Sequence, residues 1–357
     1  MKNKVNVDQC NIDTDDREKE FAAKKSLGHE KDYAKNRFDW SNNPDNNIVA
    51  DFPLHVDVEF SSICNLSCPM CPTGTEEFKA KVPRAYVDPV LFKKIIDECA
   101  ENNLYSLRLS WIGEPTLHPK FLELLRYAKE KGIKEVSMLT HGKKFINWEF
   151  CEKVIDAGID YITISIDGIN ETYEEIRKPI KFPQIVQALR NISEIKKSKN
   201  LIKPAIKIQG VWPAVKKDLE EYLKIFTPLT DLIYTNPLID YLQLDDPDSI
   251  EYVDNFTCYQ LFQRVVVRSN GLTAMCSNDD VSGHVTGDAN RMTIKEIWHG
   301  QEFKRIRDLH IAHKGHLEIR GCKRCHVPRA RETEEVIVND RRIFIENYKA
   351  RVQIIGR

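Results

Sequence analysis

HVDVEFSSICNLSCPMCPTG, residues 55–74, runs from a short β-rich stretch straight into three cysteines, Cys64, Cys68 and Cys71, spaced four and three apart. The run HVDVEF (55–60) reads as a strand, so the cysteines occupy the loop after it. In parallel barrels and sheets chemistry sits beyond the carboxyl ends of the strands, which makes this loop an expected functional position. Three thiolates hold three corners of an iron-sulfur cube and leave one iron open to a ligand that is not protein. A zinc ion is the alternative, but the fourth protein ligand it wants is missing locally.

Outward from this loop the same unit recurs. YSLRLSW (105–111), KEVSMLT (134–140), DYITISID (160–167), AIKIQGV (205–211) and LTDLIYTN (229–236) read as strands. Helical periodicity fills the intervals near 89–102, 119–131, 147–157, 183–197 and 215–226. Strands separated by helices at this spacing are parallel βαβ units. The expected fold class is α/β, with six strands forming a partial (β/α)6 TIM-like barrel rather than a closed barrel of eight.

At 357 residues the chain has room for one large domain and a smaller appendage. We expect a polar N-terminal extension over 1–53, draped on the surface or partly disordered, with SNNPDNN (41–47) as a turn-rich linker. The barrel follows over 54–240, a small cysteine-bearing domain over 241–328 and a charged tail over 329–357, whose VIV and RIFI runs suit a strand or a dimer contact. Basic and acidic residues balance, 53 against 54, so no electrostatic footprint for nucleic acid is expected. No apolar run approaches the ~18 residues of a membrane span and no signal-peptide core opens the chain, so the expectation is a cytoplasmic protein without a membrane partner.

Cysteine usage points the same way. Seven of the ten cysteines fall into two constellations, while Cys10, Cys99 and Cys151 stand apart. Metal binding in a reducing compartment accounts for this better than a secreted disulfide scaffold. In the second constellation Cys258 and Cys276 precede the CxxC pair Cys322 and Cys325. Four thiolates complete a cluster with no open site or a structural zinc site, and spacing alone leaves both open.

The CxxxCxxC loop after the first strand resembles the hallmark of the radical S-adenosylmethionine (radical SAM) superfamily. The resemblance implies a 4Fe–4S cluster on Cys64, Cys68 and Cys71, with S-adenosylmethionine chelated to the open iron and cleaved to a 5'-deoxyadenosyl radical. Met70 matches the large apolar position near the adenine. WIGEP (111–115) resembles the family's GGEP motif, with Ile112 in place of the first glycine and Gly113, Glu114 and Pro115 retained. A carboxylate at Glu114 suits the cofactor's ammonium. In SIDG (165–168) the resemblance carries Ser165 to a cofactor contact, and Arg177 to a carboxylate partner or substrate contact. Asp167 is read as a cap or an active-site contact. LTHG (139–142) resembles the family's TNG strand end, with His141 in the asparagine place, and the fifth strand is expected to approach adenine at Gln209 to Val211.

CYQLFQRVVVRSNGLTAMC (258–276), with Gly271 five residues before Cys276, is followed by TIKEIWHGQEFKRIR and GCKRC. Together these resemble the extension that binds an auxiliary 4Fe–4S cluster, on Cys258, Cys276, Cys322 and Cys325. With no cysteine after Cys325 the pattern matches the shorter twitch form of the SPASM domain. The resemblance covers roughly 54–328 and implies S-adenosylmethionine, two 4Fe–4S clusters and a flavodoxin- or ferredoxin-type reductant. A cluster with four protein thiolates accepts an electron without binding substrate, which suits dehydrogenation of a small polyhydroxylated molecule, a sugar, aminosugar or aminocyclitol. Carbohydrate epimerisation or dehydration and maturation of a ribosomal peptide are the alternatives. Asp167, Arg177 and Asp279 are the expected catalytic residues, with His141, Gln209, Tyr234 and Asn236 as further polar candidates above the barrel.

Overall fold

A computed structural model of the chain describes residues 9–242, 244–279, 283–349, 351 and 353–355. Six parallel strands form its centre: β2 (His55–Val58), β3 (Ser106–Arg108), β4 (Glu135–Thr140), β5 (Tyr161–Ser165), β6 (Ala205–Val211) and β7 (Leu232–Asn236). They lie side by side in chain order, each paired in parallel with the next. Helices Pro89–Glu101, Phe121–Glu130, Trp148–Asp156, Phe182–Ser198 and Leu219–Phe226 connect them, giving the partial (β/α)6 barrel. In β2, β3, β5 and β6 the strand residues alternate. Val56, Val58, Leu107, Ile162, Ile164, Ile206 and Ile208 are buried in the core shared with the helices, whereas His55, Asp57, Arg108, Thr163, Lys207 and Gln209 occupy the alternate positions that face the lumen.

The sheet does not stop at the barrel. β1 (Cys10–Asn11) pairs antiparallel with β7 at one edge, and β8 (Arg264–Val267) pairs parallel with β2 at the other. β9 (Leu272–Ala274) and β10 (Val285–Asp288) continue antiparallel from β8 to complete ten strands. The first strand of the C-terminal cysteine segment is thus a seventh parallel neighbour in the barrel's own sheet. Gly271, at φ +88°, makes the β8–β9 turn, and a Cβ there would lie 2.2 Å from Nδ2 of Asn290.

The N-terminal segment differs from expectation. Residues Asp15–Ser26 form helix α1, capped by Thr14 on the Arg17 N–H, and Glu30–Asp45 form helix α2. Both are docked on the barrel: Arg17 donates to the Thr230 carbonyl at 2.6 Å, Lys24 pairs with Asp231 at 2.7 Å, and Gln263 donates to the Trp40 carbonyl at 2.8 Å. SNNPDNN is likewise not a linker. Most of it is the last turn of α2, which accommodates Pro44, and Asn43 accepts the Ile48 N–H. The tail folds as a hairpin of β11 (Arg331–Val338) and β12 (Arg341–Tyr348). Its turn residues Asn339 and Asp340 both have positive φ, as a two-residue hairpin loop requires. Glu334 of β11 accepts from Nε1 of Trp212 at 2.8 Å, which fastens the hairpin to the barrel.

Candidate active site

The loop after β2 lines a cavity of about 240 Å³ at the carboxyl ends of the strands. Cys64, Cys68, Met70 and Cys71 form one wall, Gly113 and Glu114 a second, and Ser165, Arg177, Gln209 and Val211 a third. Residues expected from five separate sequence stretches therefore meet around one space. His141, Asn236 and Ser277, next to Cys276, line it too. Pro115, Asp167 and Asp279 do not.

Glu114 is held rigidly. Oε1 accepts from the Thr116 N–H at 3.1 Å, the Thr116 hydroxyl at 2.6 Å and the Thr140 hydroxyl at 2.7 Å, while Oε2 accepts the His141 N–H at 3.0 Å. A fourfold-donated carboxylate has one fixed orientation. Pro115 serves this arrangement from behind, opening the short 3-10 turn Pro115–Leu117 that Glu114 caps. Nδ1 of His141 accepts the Lys143 N–H at 3.1 Å, so the neutral ring carries its proton on Nε2, which lies 2.8 Å from Oδ1 of Asn65 and 3.3 Å from Oε2 of Glu114. Burial pushes its pKa down against the pull of Glu114.

Gly113 is fixed by packing. A Cβ there would stand 2.1 Å from the Ser61 carbonyl oxygen and 2.9 Å from the Ile63 nitrogen, both backbone of the cysteine loop. The neighbouring Glu114 N–H donates to the Ile63 carbonyl at 2.9 Å. Gly113→Ala must push the two loops apart, and we expect it to cost about 2–3 kcal/mol in a denaturant titration and to lower iron loading of the cysteine loop. Unchanged stability with full iron loading would contradict this packing account.

Asp167 is a positioning residue. Oδ2 accepts from Nε of Arg177 at 2.6 Å and Oδ1 accepts the Val211 N–H at 2.8 Å, so it ties the guanidinium to the backbone of β6. Burial works against the charge of Arg177, but Asp167 and then Cys68 outweigh it and keep the guanidinium protonated with its pKa raised. Asp279 does not line the cavity either. It is 1% exposed and lies in the field of Cys276 and Cys322 rather than facing the space above the strands. Tyr234 faces the opposite end of the lumen, where its hydroxyl donates to Glu18 at 2.5 Å.

None of the ten cysteines is in a disulfide. Cys64, Cys68 and Cys71 act electrostatically on one another, and burial pushes the Cys64 thiol up to about 12. Burial first, then Asp279 and the other three thiols, raise Cys276 well above the usual thiol range. The three-thiol wall, with no fourth thiol among its lining residues, fits a 4Fe–4S cube with one open iron; the second set offers four thiols. Among the described residues no three His, Cys, Asp or Glu side chains are grouped to hold a single metal ion. Sequence reasoning missed two links. Nε1 of Trp111 donates to the Ser277 carbonyl at 2.8 Å, joining the loop after β3 to the second cysteine set, and Nε2 of His310 lies 3.5 Å from Sγ of Cys322. It also missed the wall formed by Pro237, Leu238, Ile239 and Tyr241 after β7, a stretch with no strand or helix pattern to flag it.

Residues 58–204 match the radical SAM superfamily and residues 258–326 the iron-sulfur cluster-binding SPASM domain. The tungsten-containing aldehyde ferredoxin oxidoreductase cofactor-modifying protein of Pyrococcus furiosus is 28% identical over 144 residues, 36% of this chain and 39% of that protein. The chain matches less than half the length of such curated relatives. In fold it is similar to BtrN in complex with AdoMet and 2-DOIA, with a TM-score of 0.53 at 17% identity over 76% of this chain and 92% of that one. It is also similar to Streptococcus suis SuiB bound to precursor peptide SuiA, with a TM-score of 0.53 at 15% identity over 85% of this chain and 76% of that one.

Proposed function

The chain carries a radical SAM domain and an iron-sulfur SPASM domain, and on that premise we propose that it is a radical SAM enzyme that dehydrogenates a small polyhydroxylated molecule, a sugar, aminosugar or aminocyclitol. S-adenosylmethionine and the first cluster supply, when bound, the 5'-deoxyadenosyl radical that takes a hydrogen atom from a substrate carbon. The chain's own residues orient the reactants. Cys64, Cys68 and Cys71 would hold the first cluster, Glu114 attracts the cofactor's ammonium, and Arg177, braced by Asp167, offers a guanidinium to a carboxylate or a substrate oxygen. Met70, Ser165, Gln209 and Val211 line the same cavity and would complete the cofactor's surroundings. Cys258, Cys276, Cys322 and Cys325 would hold the auxiliary cluster, which would supply an acceptor for the one electron left over when an alcohol has given up a hydrogen atom and a proton. A flavodoxin- or ferredoxin-type protein would deliver the electron that starts each turnover.

The observation that carries this reading is the place of Ser277. It lines the cavity while its neighbour Cys276 belongs to the auxiliary thiol set, so a cluster held by those thiols would adjoin the substrate space. The polar wall of Arg177, Gln209, Asn236 and His141 suits hydroxyl groups. The experiment is an anaerobic incubation of reconstituted protein, S-adenosylmethionine and reductant with fractionated metabolites, followed by mass spectrometry. A small polyol that loses two hydrogens as 5'-deoxyadenosine accumulates is the expected result. Stimulation by the peptide fraction alone would instead favour peptide maturation.

Epimerisation needs a protein group to return hydrogen to the radical, and a thiol suits that role. Cys99 and Cys151 are fully buried in helices on the outer side of the sheet and line no part of the cavity. Replacing both by alanine is expected to leave turnover within about twofold of wild type, since neither touches the reacting atoms. Retained 5'-deoxyadenosine formation with lost product would overturn that expectation.

A further inference from the structure

A closed parallel barrel fills its interior with branched apolar side chains. Here a second cavity of about 210 Å³ lies in the lumen on the amino-terminal side of the first, closed from below by α1 and α2. Five cations line it, Lys25, Arg37, Arg108, Lys207 and Arg264, against one lining carboxylate, Glu135. The carboxylates present are already engaged. Glu135 pairs with Lys25 at 3.1 Å, and Asp57 stands 2.6 Å from Nε of Arg108 and 3.2 Å from Nη1 of Arg264. Arg37 and Lys207 form no ion pair with any described residue. Nζ of Lys207 donates to Oε1 of Gln9 at 3.1 Å and lies 4.8 Å from the centre of the Tyr234 ring. Burial, then repulsion from Lys25 and Arg108, pushes its pKa down to about 7. Trp40, another lining residue, is 5% exposed and its Nε1 donor has no acceptor. Unbalanced cations and an unmet donor around a polar cavity are costly unless an acceptor of negative charge completes the set.

We propose that this lower chamber binds an oxyanion, a phosphate or a carboxylate, with Lys207 and Arg37 as its principal partners. Gln209 and Leu139 line both cavities, so a molecule anchored below through such a group would present its remaining carbons to the upper one. That last step rests on the function proposed above, whereas the anion site does not.

The test is calorimetry of the reconstituted, anaerobic holoprotein with sulfate, whose charge is constant across the working pH range. Saturable binding at one site per chain is expected, and Lys207→Met should weaken it by about tenfold or more. Without sulfate the same variant should melt at a higher temperature, because an uncompensated buried cation is gone. Lys153→Met, which removes an exposed lysine paired with Glu149, should bind sulfate as wild type does. Absence of saturable binding, or equal binding by Lys207→Met, would overturn the proposal, and Lys207→Gln repeats the test if the methionine variant does not fold. Sulfate that competes with the metabolite stimulating 5'-deoxyadenosine formation assigns the group to the substrate, and sulfate that binds without competing assigns a free anion; both uphold the site. Sulfate binding with no metabolite fraction active would leave the anion site standing and count against the proposed reaction.

Discussion

Cys68→Ala is expected to abolish formation of 5'-deoxyadenosine, by at least about a thousandfold, or ~4 kcal/mol of barrier. Cys68 lies between the other two thiols of its loop in sequence, is 9% exposed, and stands in the field of Arg177. Its loss leaves two sulfurs where a cube with one open corner needs three, and about four irons per chain should go with it. Cys64→Ala and Cys71→Ala should behave alike, while Cys10→Ala, far along the sheet in β1, should not. Iron analysis and chromatography of the nucleoside products check the expectation. A Cys68→Ala protein that retains its iron and cleaves the cofactor within tenfold of wild type would refute the assignment of this loop.

Cys276→Ala and Cys322→Ala should separate cofactor cleavage from product formation. Cleavage is expected to stay within about threefold of wild type while oxidised product falls by about a hundredfold or more, ~2.7 kcal/mol. The argument is spatial. These thiols belong to a set that adjoins the cavity at Ser277, and the first site keeps its three cysteines, Gly113 and Glu114 in the variants. A purely structural second cluster would predict a different result, in which cleavage, product and melting temperature decline together. Quantifying both products in one reaction, beside a melting curve, distinguishes the two.

The strands and most helices were legible because apolar side chains recur at the two periods that define them, and because turns punctuate the runs. The helix expected near 119–131 occupies Phe121–Glu130, and AIKIQGV is a strand over its whole length. The N-terminal helices were not legible, for a physical reason. They dock on a polar lumen through Lys25, which pairs with Glu135, and Arg37, stacked 4.5 Å from the Trp40 ring, so neither carries an apolar stripe. The same lumen announced itself in HVDV and AIKIQ. Strict alternation in a parallel sheet covered by helices is unusual, since doubly buried strands read as continuous apolar runs, and the polar residues mark a lumen that is not packed shut.

At the site, spacing picked out the cysteine loop and the family resemblance pointed to Gly113, Glu114, Ser165 and Arg177, all of which line one cavity. What spacing does not carry is who holds whom. The donors that fix Glu114 come from Thr116, Thr140 and His141, on two different loops, and Asp167 proves to be a brace between Arg177 and Val211. Likewise RVVV (264–267) reads as part of a separate cluster domain, yet its hydrogen bonds go to β2, and that pairing brings Ser277 to the cavity.

The most direct test of the central claim is isotopic. Metabolites from cells grown in deuterated medium, fractionated for the small polar pool, should transfer one deuterium per turnover into 5'-deoxyadenosine as the substrate loses two hydrogens. Unlabelled 5'-deoxyadenosine formed at the same rate, with every small polyol unchanged, would contradict the account.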